Sequence, residues 1–277
     1  RLNEDGAVIA DFAVRCAMIQ QQVTRLGKKA GGQAVIDPAL LELVTALVEK
    51  PHAVLGNFDP AFLKVPQEAL ISSMRDHQKY FHVVDGKGAL LPAFITVSNI
   101  QSRTPARVRT GNERVLNARL ADAKFFWETD AIQPLSARTK ALENVLFHHA
   151  LGSLAGKTRR IEKLSAKIAQ AVGAPAAACV RAASLCKADL VSGMVGEFPD
   201  LQGIMGRYLA RHDGEPAAVA RAIEEHYLPR YAGGALPQSP AGQVLALADR
   251  LDSLVGLFIA GEEPTGEKDP YGLRRAA

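Results

Sequence analysis

Between Ser72 and Asn99 the residue pattern switches from helix-like to strand-like, and this switch constrains the fold more than any other stretch. His77, Tyr80, Phe81, Val83 and Val84 form one aromatic and β-branched run, and Leu90 to Val97 forms a second. Between them Asp85-Gly86-Lys87-Gly88 has the composition of a turn that closes a hairpin. Two strands cannot bury a face by themselves, so the flanking segments must supply cover. The chain therefore has to mix sheet with helix.

The flanking pattern is helical. Ala7 to Lys29 predicts one helix, ended by Gly31-Gly32, and Asp37-Pro38 opens a second that runs to about Glu49. Pro51 and the loop through Pro60 separate this pair from a short helix, Pro66 to Met74, that leads into the hairpin. After Asn99 a loop with Arg103, Pro105, Arg107 and Arg109 precedes a helix from about Gly111 to Glu128. On it Leu116, Leu120, Ala123 and Trp127 share one face that could close over the hairpin. Phe125 falls on the far side, where a contact with a neighbouring domain is expected.

From Ala137 onward only helices are expected, so a boundary falls at 131–136. Helices are predicted over Gly156–Val172, Val180–Met194 and Ala241–Ala260. In the first, Lys157, Ile161, Leu164 and Ile168 lie on the apolar face, while Arg159, Arg160, Lys163 and Lys167 gather on the opposite one. The last is apolar on nearly every side around Asp249, so that carboxylate should be buried and needs a partner. Lys157 is expected to pair with Asp189 or Asp249.

Apolar residues make up 48% of the 277, enough for two ordinary cores. The chain begins at Arg1 without an initiating Met and reads as a segment of a longer protein. No apolar run approaches the ~18 residues of a membrane span, and no signal peptide is evident. Cys16, Cys179 and Cys186 are odd in number and set in helical surroundings, which argues against a disulfide framework or thiolate zinc site and fits a reducing cytosol. Net charge is +4, but residues 101–168 hold 13 Lys and Arg against 6 Asp and Glu, a local +7 that leaves −3 elsewhere. Such a basic window can track phosphates.

Familiar catalytic patterns are missing. The Gly-rich passages Gly193 to Gly206 and Gly261 to Gly266 lack the strand, loop and Gly-Lys-Ser/Thr ending of a nucleotide cradle, so no ATP site is assigned. No Ser-His-Asp or HExxH arrangement occurs, and His148-His149 has no acidic or thiol partner nearby in sequence.

The helical half, with Lys187-Ala188-Asp189 and a later Ala248-Asp249-Arg250, resembles the HD superfamily of metal-dependent phosphohydrolases. There a His, a His-Asp pair and a distant Asp hold a divalent metal that activates water. Aligned so, Lys157 stands at the first His and Ala188 at the His of the pair, leaving Asp189 and Asp249. A cation in that place competes with a metal. His212 and His226 are the remaining candidates, His226 at an accessory position, and both read as partly exposed histidines.

A wider resemblance covers nearly the whole chain. Glu68-Ala69-Leu70-Ile71-Ser72, Asp76-His77-Gln78-Lys79-Tyr80-Phe81, Gly111-Asn112-Glu113, Arg119-Leu120-Ala121-Asp122-Ala123, Met194-Val195-Gly196-Glu197-Phe198-Pro199 and His226-Tyr227-Leu228-Pro229 together resemble the beta subunit of bacterial two-subunit-type glycyl-tRNA synthetases. The resemblance implies an α+β architecture: residues 1–135 an α/β module akin to part of a B3/B4 fold, 136–262 an all-α HD-like domain, and 263–277 a linker. A C-terminal anticodon-binding domain would be absent from this segment. It further implies a non-catalytic, tRNA-binding or scaffolding role, with no catalytic or metal residue here. ATP and Mg would act at the alpha subunit, which with tRNA(Gly) is the expected partner, in the cytoplasm and away from membranes. Arg103, Arg107, Arg109, Arg114 and Arg119 are the candidate RNA contacts. His77, Gln78, Lys79 and Tyr80 read as mainly architectural. The alternative is an HD phosphohydrolase.

Overall fold

The computed structural model describes residues 8–277 and divides into two compact units, one ending at Phe126 and one beginning at Trp127. Arg1 and the expected helix start at Ala7 lie outside the described residues. The architecture is α+β, as the hairpin required.

In the first unit α1 (Phe12–Lys29) starts where Asp11 accepts the Val14 amide at 3.0 Å. It ends before Gly31, whose φ of +84° turns the chain into β1 (Gln33–Ala34). Asp37 caps α2 (Pro38–Leu47) in the same way through Leu40 N at 2.9 Å. β2 (His52–Asn57), a 3-10 turn over Pro60–Lys64 and α3 (Gln67–Ser72) follow. β3 (Phe81–Val84), β4 (Leu90–Ser98) and α4 (Pro105–Ile132) complete the order.

The hairpin β3–β4 forms the centre of a four-stranded antiparallel sheet, β1-β3-β4-β2. Asp85 Oδ1 builds the turn by accepting the amides of Lys87 and Ala89 at 2.8 and 2.9 Å. The first strand is shorter than expected. Ser73–His77 is a π-helical turn, and Lys79 adopts φ +60° with its Nζ on the Asp76 carbonyl at 2.6 Å, so extended backbone begins only at Phe81.

Cover comes from the N-terminal helices. Ile19 and Val23 of α1 and Leu40, Leu41 and Val44 of α2 make one core with Phe81, Val83, Ala93 and Ile95 of the hairpin. The α4 stripe is split. Leu116, Leu120 and Ala123 are fully buried, but Trp127 packs in the second unit, its ring 6.2 Å from Tyr208 and 6.1 Å from His212. The Tyr80 hydroxyl donates to Asn112 Oδ1 at 2.6 Å while its ring stacks on Phe94 at 4.8 Å. Phe125 is 63% exposed and edge-on to Phe126.

The second unit is helical except for one small ribbon. After α5 (Leu135–Arg138), β5 (Leu146–His148) pairs with β6 (Gly152–Ser153), which interrupts the expected all-helical run. α6 (Leu154–Val172) turns into α7 (Ala176–Leu185) at Gly173, φ +69°. The helix expected through Met194 stops at α7: Ala188–Val191 is a 3-10 turn, followed by α8 (Gly193–Glu197). α9 (Ile204–His212), α10 (Ala217–Glu225), α11 (Pro240–Ile259) and α12 (Leu273–Ala276) complete it. Ile161, Cys179, Leu185, Leu209, Ile223 and Leu245 form the core. No helix among the described residues is long and apolar enough to cross a membrane.

Candidate functional site

Ionisable side chains converge inside the second unit. Ser153 caps α6, and one turn on Lys157 enters on the apolar face, 4% exposed, with Ile161 and Ser165 beneath it. Its Nζ lies 2.9 Å from Asp249 Oδ1 and 3.1 Å from Asp252 Oδ2, and donates to Ser253 Oγ at 2.7 Å. Phe147 offers its ring face 4.5 Å away. The expected partner of Lys157 is thus Asp249, not Asp189, with Asp252 one helical turn further on. Arg160, expected on the solvent side, turns in and grips Asp252 with Nε at 2.6 Å and Nη2 at 3.2 Å.

A second cation completes the arrangement. Lys187, at the break after α7, donates to Asp249 Oδ2 at 2.8 Å and to His226 Nε2 at 2.8 Å, with its Nζ 4.3 Å above the Tyr227 ring. An ammonium can only donate, so His226 accepts at Nε2 and carries its proton on Nδ1, which donates to the Ile223 carbonyl at 2.6 Å. Burial and the charge of Lys187 hold the His226 pKa well below the ordinary value, so the ring is neutral. His226 is 2% exposed rather than partly exposed; His212 does lie at the surface, 3.5 Å from Asp213.

The carboxylates behave differently. Burial alone would raise Asp249, but Lys187 and then Lys157 overcome it and hold this carboxyl far below the usual range. Burial is the largest influence on Lys187 and opposes its charge, but the charge of Asp249, its hydrogen bond and smaller neighbouring contributions together leave that pKa raised. Asp189 is driven up by burial, although its Oδ2 accepts the amides of Gly203 and Gly206 at 2.5 and 3.0 Å, and among the described residues its Oδ1 has no hydrogen-bond partner. The glycines that fail as a nucleotide cradle thus serve this carboxyl. Burial pushes the Cys186 thiol up to about 12.

These residues do not fit a divalent metal. Lys157 brings an ammonium, Ala188 only a buried methyl, and Asp189 is turned to backbone amides. Among the described residues no group of three or more His, Cys, Asp or Glu is placed to hold one. His148, without an acidic partner nearby in sequence, finds one 114 positions on: Nε2 lies 3.1 Å from Glu262, and Nδ1 accepts the Ala150 amide.

The five arginines lie in the first unit, Arg103 before α4 and the others on it, all exposed. They do not form one stripe. Arg107 and Arg114, seven residues apart, share a face, whereas Arg109 and Arg119 point elsewhere, each near a carboxylate, Glu113 at 3.9 Å and Asp122 at 4.0 Å.

Lys187, Arg160, Asp252 and Ser253 join the cluster without having been expected from the sequence pattern. Asp249 and Asp252 at an i, i+3 spacing, with Arg250 the only other charged residue on a largely apolar helix, were a usable signal. The pairing of Lys187 with a residue 62 positions away left none.

Fold and cluster define an α+β chain whose buried charges neutralise one another. The family described as glycyl-tRNA synthetase beta subunit matches residues 1–277, and the chain belongs to that family. The glycine–tRNA ligase beta subunit of Chromohalobacter salexigens is 54% identical over 274 residues, 99% of this chain and 40% of that one. Those of Marinobacter nauticus and Stutzerimonas stutzeri are each 51% identical, over 277 and 270 residues, again 40% of each relative. The chain spans about two fifths of the length of these relatives.

Proposed function

We propose that this segment is a non-catalytic, tRNA-binding and scaffolding part of a glycine–tRNA ligase beta subunit. On this reading a separate alpha subunit activates glycine with ATP and Mg, and this chain helps hold tRNA(Gly) for charging in the cytosol. The observation that carries it is the family match along the whole chain, joined to a buried cluster in which each cation already faces a carboxylate. The unit from Trp127 is read as an HD-like domain in which the Lys157 ammonium stands in the metal's place. A phosphohydrolase reading has no ligand set to support it.

Arg103, Arg107 and Arg114 are the strongest RNA candidates of the five. They are exposed and no carboxylate among the described residues is paired with them, so they keep their charge for phosphates. In the complete alpha–beta enzyme, reversing these three to Glu should weaken tRNA binding. The slope of log affinity against log salt should also flatten by about one for each phosphate that is no longer neutralised. Unchanged affinity and slope would leave the segment a purely architectural spacer.

A further inference from the structure

The second half of α11 is unusual for a surface helix. From Leu247 onward its exposed positions are Leu247, Leu251, Val255, Phe258 and Ile259, with 47%, 37%, 56%, 47% and 80% of their surface open. They follow one another at spacings of four, four, three and one, which at about 100° per residue gathers them within an arc of about 120°. No Asp, Glu, Lys or Arg shares that exposed face. Val244 and Ala248, which the same spacing puts on that face, and Leu245 beside it are buried in the core, so the unit's own packing covers this side at the start of α11 and leaves it open toward the end.

Single exposed aliphatic residues are ordinary, whereas a contiguous helical face marks an interface. Its chemistry restricts the occupant. Without Lys or Arg it offers nothing to a phosphate backbone, and without carboxylates nothing to a basic partner, so the partner presents an apolar ridge. The size of the face bears on whether that partner is tethered. Burying a handful of half-open side chains gains no more than the translational and rotational freedom that a free partner loses on binding. A segment of the same polypeptide escapes most of that loss, because its effective concentration is already high. Such polypeptide exists in the family, since this chain spans only 40% of its relatives.

We propose that the Leu247 to Ile259 face of α11 is the docking surface for an apolar-faced segment of the subunit's own polypeptide outside these 277 residues. The inference rests on family membership and not on the tRNA-binding role. The test places a photo-crosslinking benzoylphenylalanine at Val255 or at Phe258 of the full-length beta subunit. Mass spectrometry then identifies the captured peptides at several protein concentrations.

Crosslinks to the same chain outside residues 1–277, in a yield independent of concentration, are the expected result. Capture of a second copy, of the alpha subunit alone, of residues within this segment, or of nothing would each overturn the proposal. As a second measurement on the full-length subunit, Leu251→Cys and Val255→Cys should react with a maleimide about tenfold or more slowly than Gln170→Cys, as expected for sites reached only by local opening. Equal rates would also overturn it.

Discussion

At the scale of single residues, the buried charges make the sharpest predictions. Among the described residues Asp249 is the only carboxylate within ion-pair distance of Lys187, whereas Lys157 also has Asp252 and Ser253. Removing Asp249 therefore strands a buried ammonium, while removing Lys157 leaves each carboxylate one cation, Lys187 for Asp249 and Arg160 for Asp252. Asp249→Asn should cost about 3–5 kcal/mol and Lys157→Met about 1–3 kcal/mol in denaturant unfolding. The reverse order would contradict this hierarchy.

His226 supplies a pH signature. Its folded pKa lies below the ordinary 6.5, so below pH 6.5 the unfolded chain takes up a proton that the native ring refuses. Stability should then fall with falling pH, by up to about 1.4 kcal/mol per pH unit for one proton. His226→Gln, which keeps an acceptor for Lys187, should remove that share of the slope between about pH 6.5 and 5 in thermal melts. Asp249, held low, adds its own loss only as pH drops below its ordinary 3.8, and Asp189, held high, works in the opposite sense.

At the scale of elements, β2 shows how a tertiary contact overrides a local signal. His52–Asn57 contains a glycine and follows Pro51, which reads as a loop, yet it pairs with β4 over six residues. Gly56 is required there because the Phe94 ring lies against it; an added Cβ would sit 2.7 Å from Phe94 Cε1 and nearer still to Cζ. Gly56→Ala should destabilise by about 1–3 kcal/mol through overpacking. Gly86→Ala, in the open hairpin turn, should change little, and comparing the two melting temperatures checks the claim. By contrast α2 and α6 begin within two residues of their expected starts, because an Asp or Ser cap satisfies free amides and leaves a local mark. The break after α7 left no such mark: Lys187-Ala188-Asp189 is compatible with helix by composition and leaves it to direct Lys187 and Asp189 to different partners.

At the scale of the whole molecule, the division into two units falls inside α4, whose apolar pattern continues through it. Leu116 and Trp127 obey one periodicity yet serve different cores, because spacing records which residues share a face and not what that face meets. The basic window is similarly divided by structure. Arg160 and Lys157 are consumed by buried carboxylates and Arg159 pairs with Glu143, so the charge available to RNA is smaller than the composition suggests. The salt slope for tRNA should accordingly respond to the Arg103, Arg107 and Arg114 reversals and not to Lys157.

The sequence by itself determined the mixed α+β class, the hairpin and its turn, the capped helices and the family. These rest on periodicities, caps and ordered wording that lie within a few residues of one another. The tertiary structure alone decided that α1 and α2 cover the hairpin, that Asp249 sits between two lysines drawn from positions 157 and 187, and that one face of α11 stays open. Those outcomes depend on contacts between distant segments, where burial makes each charge find a partner and local pattern has no means of naming it.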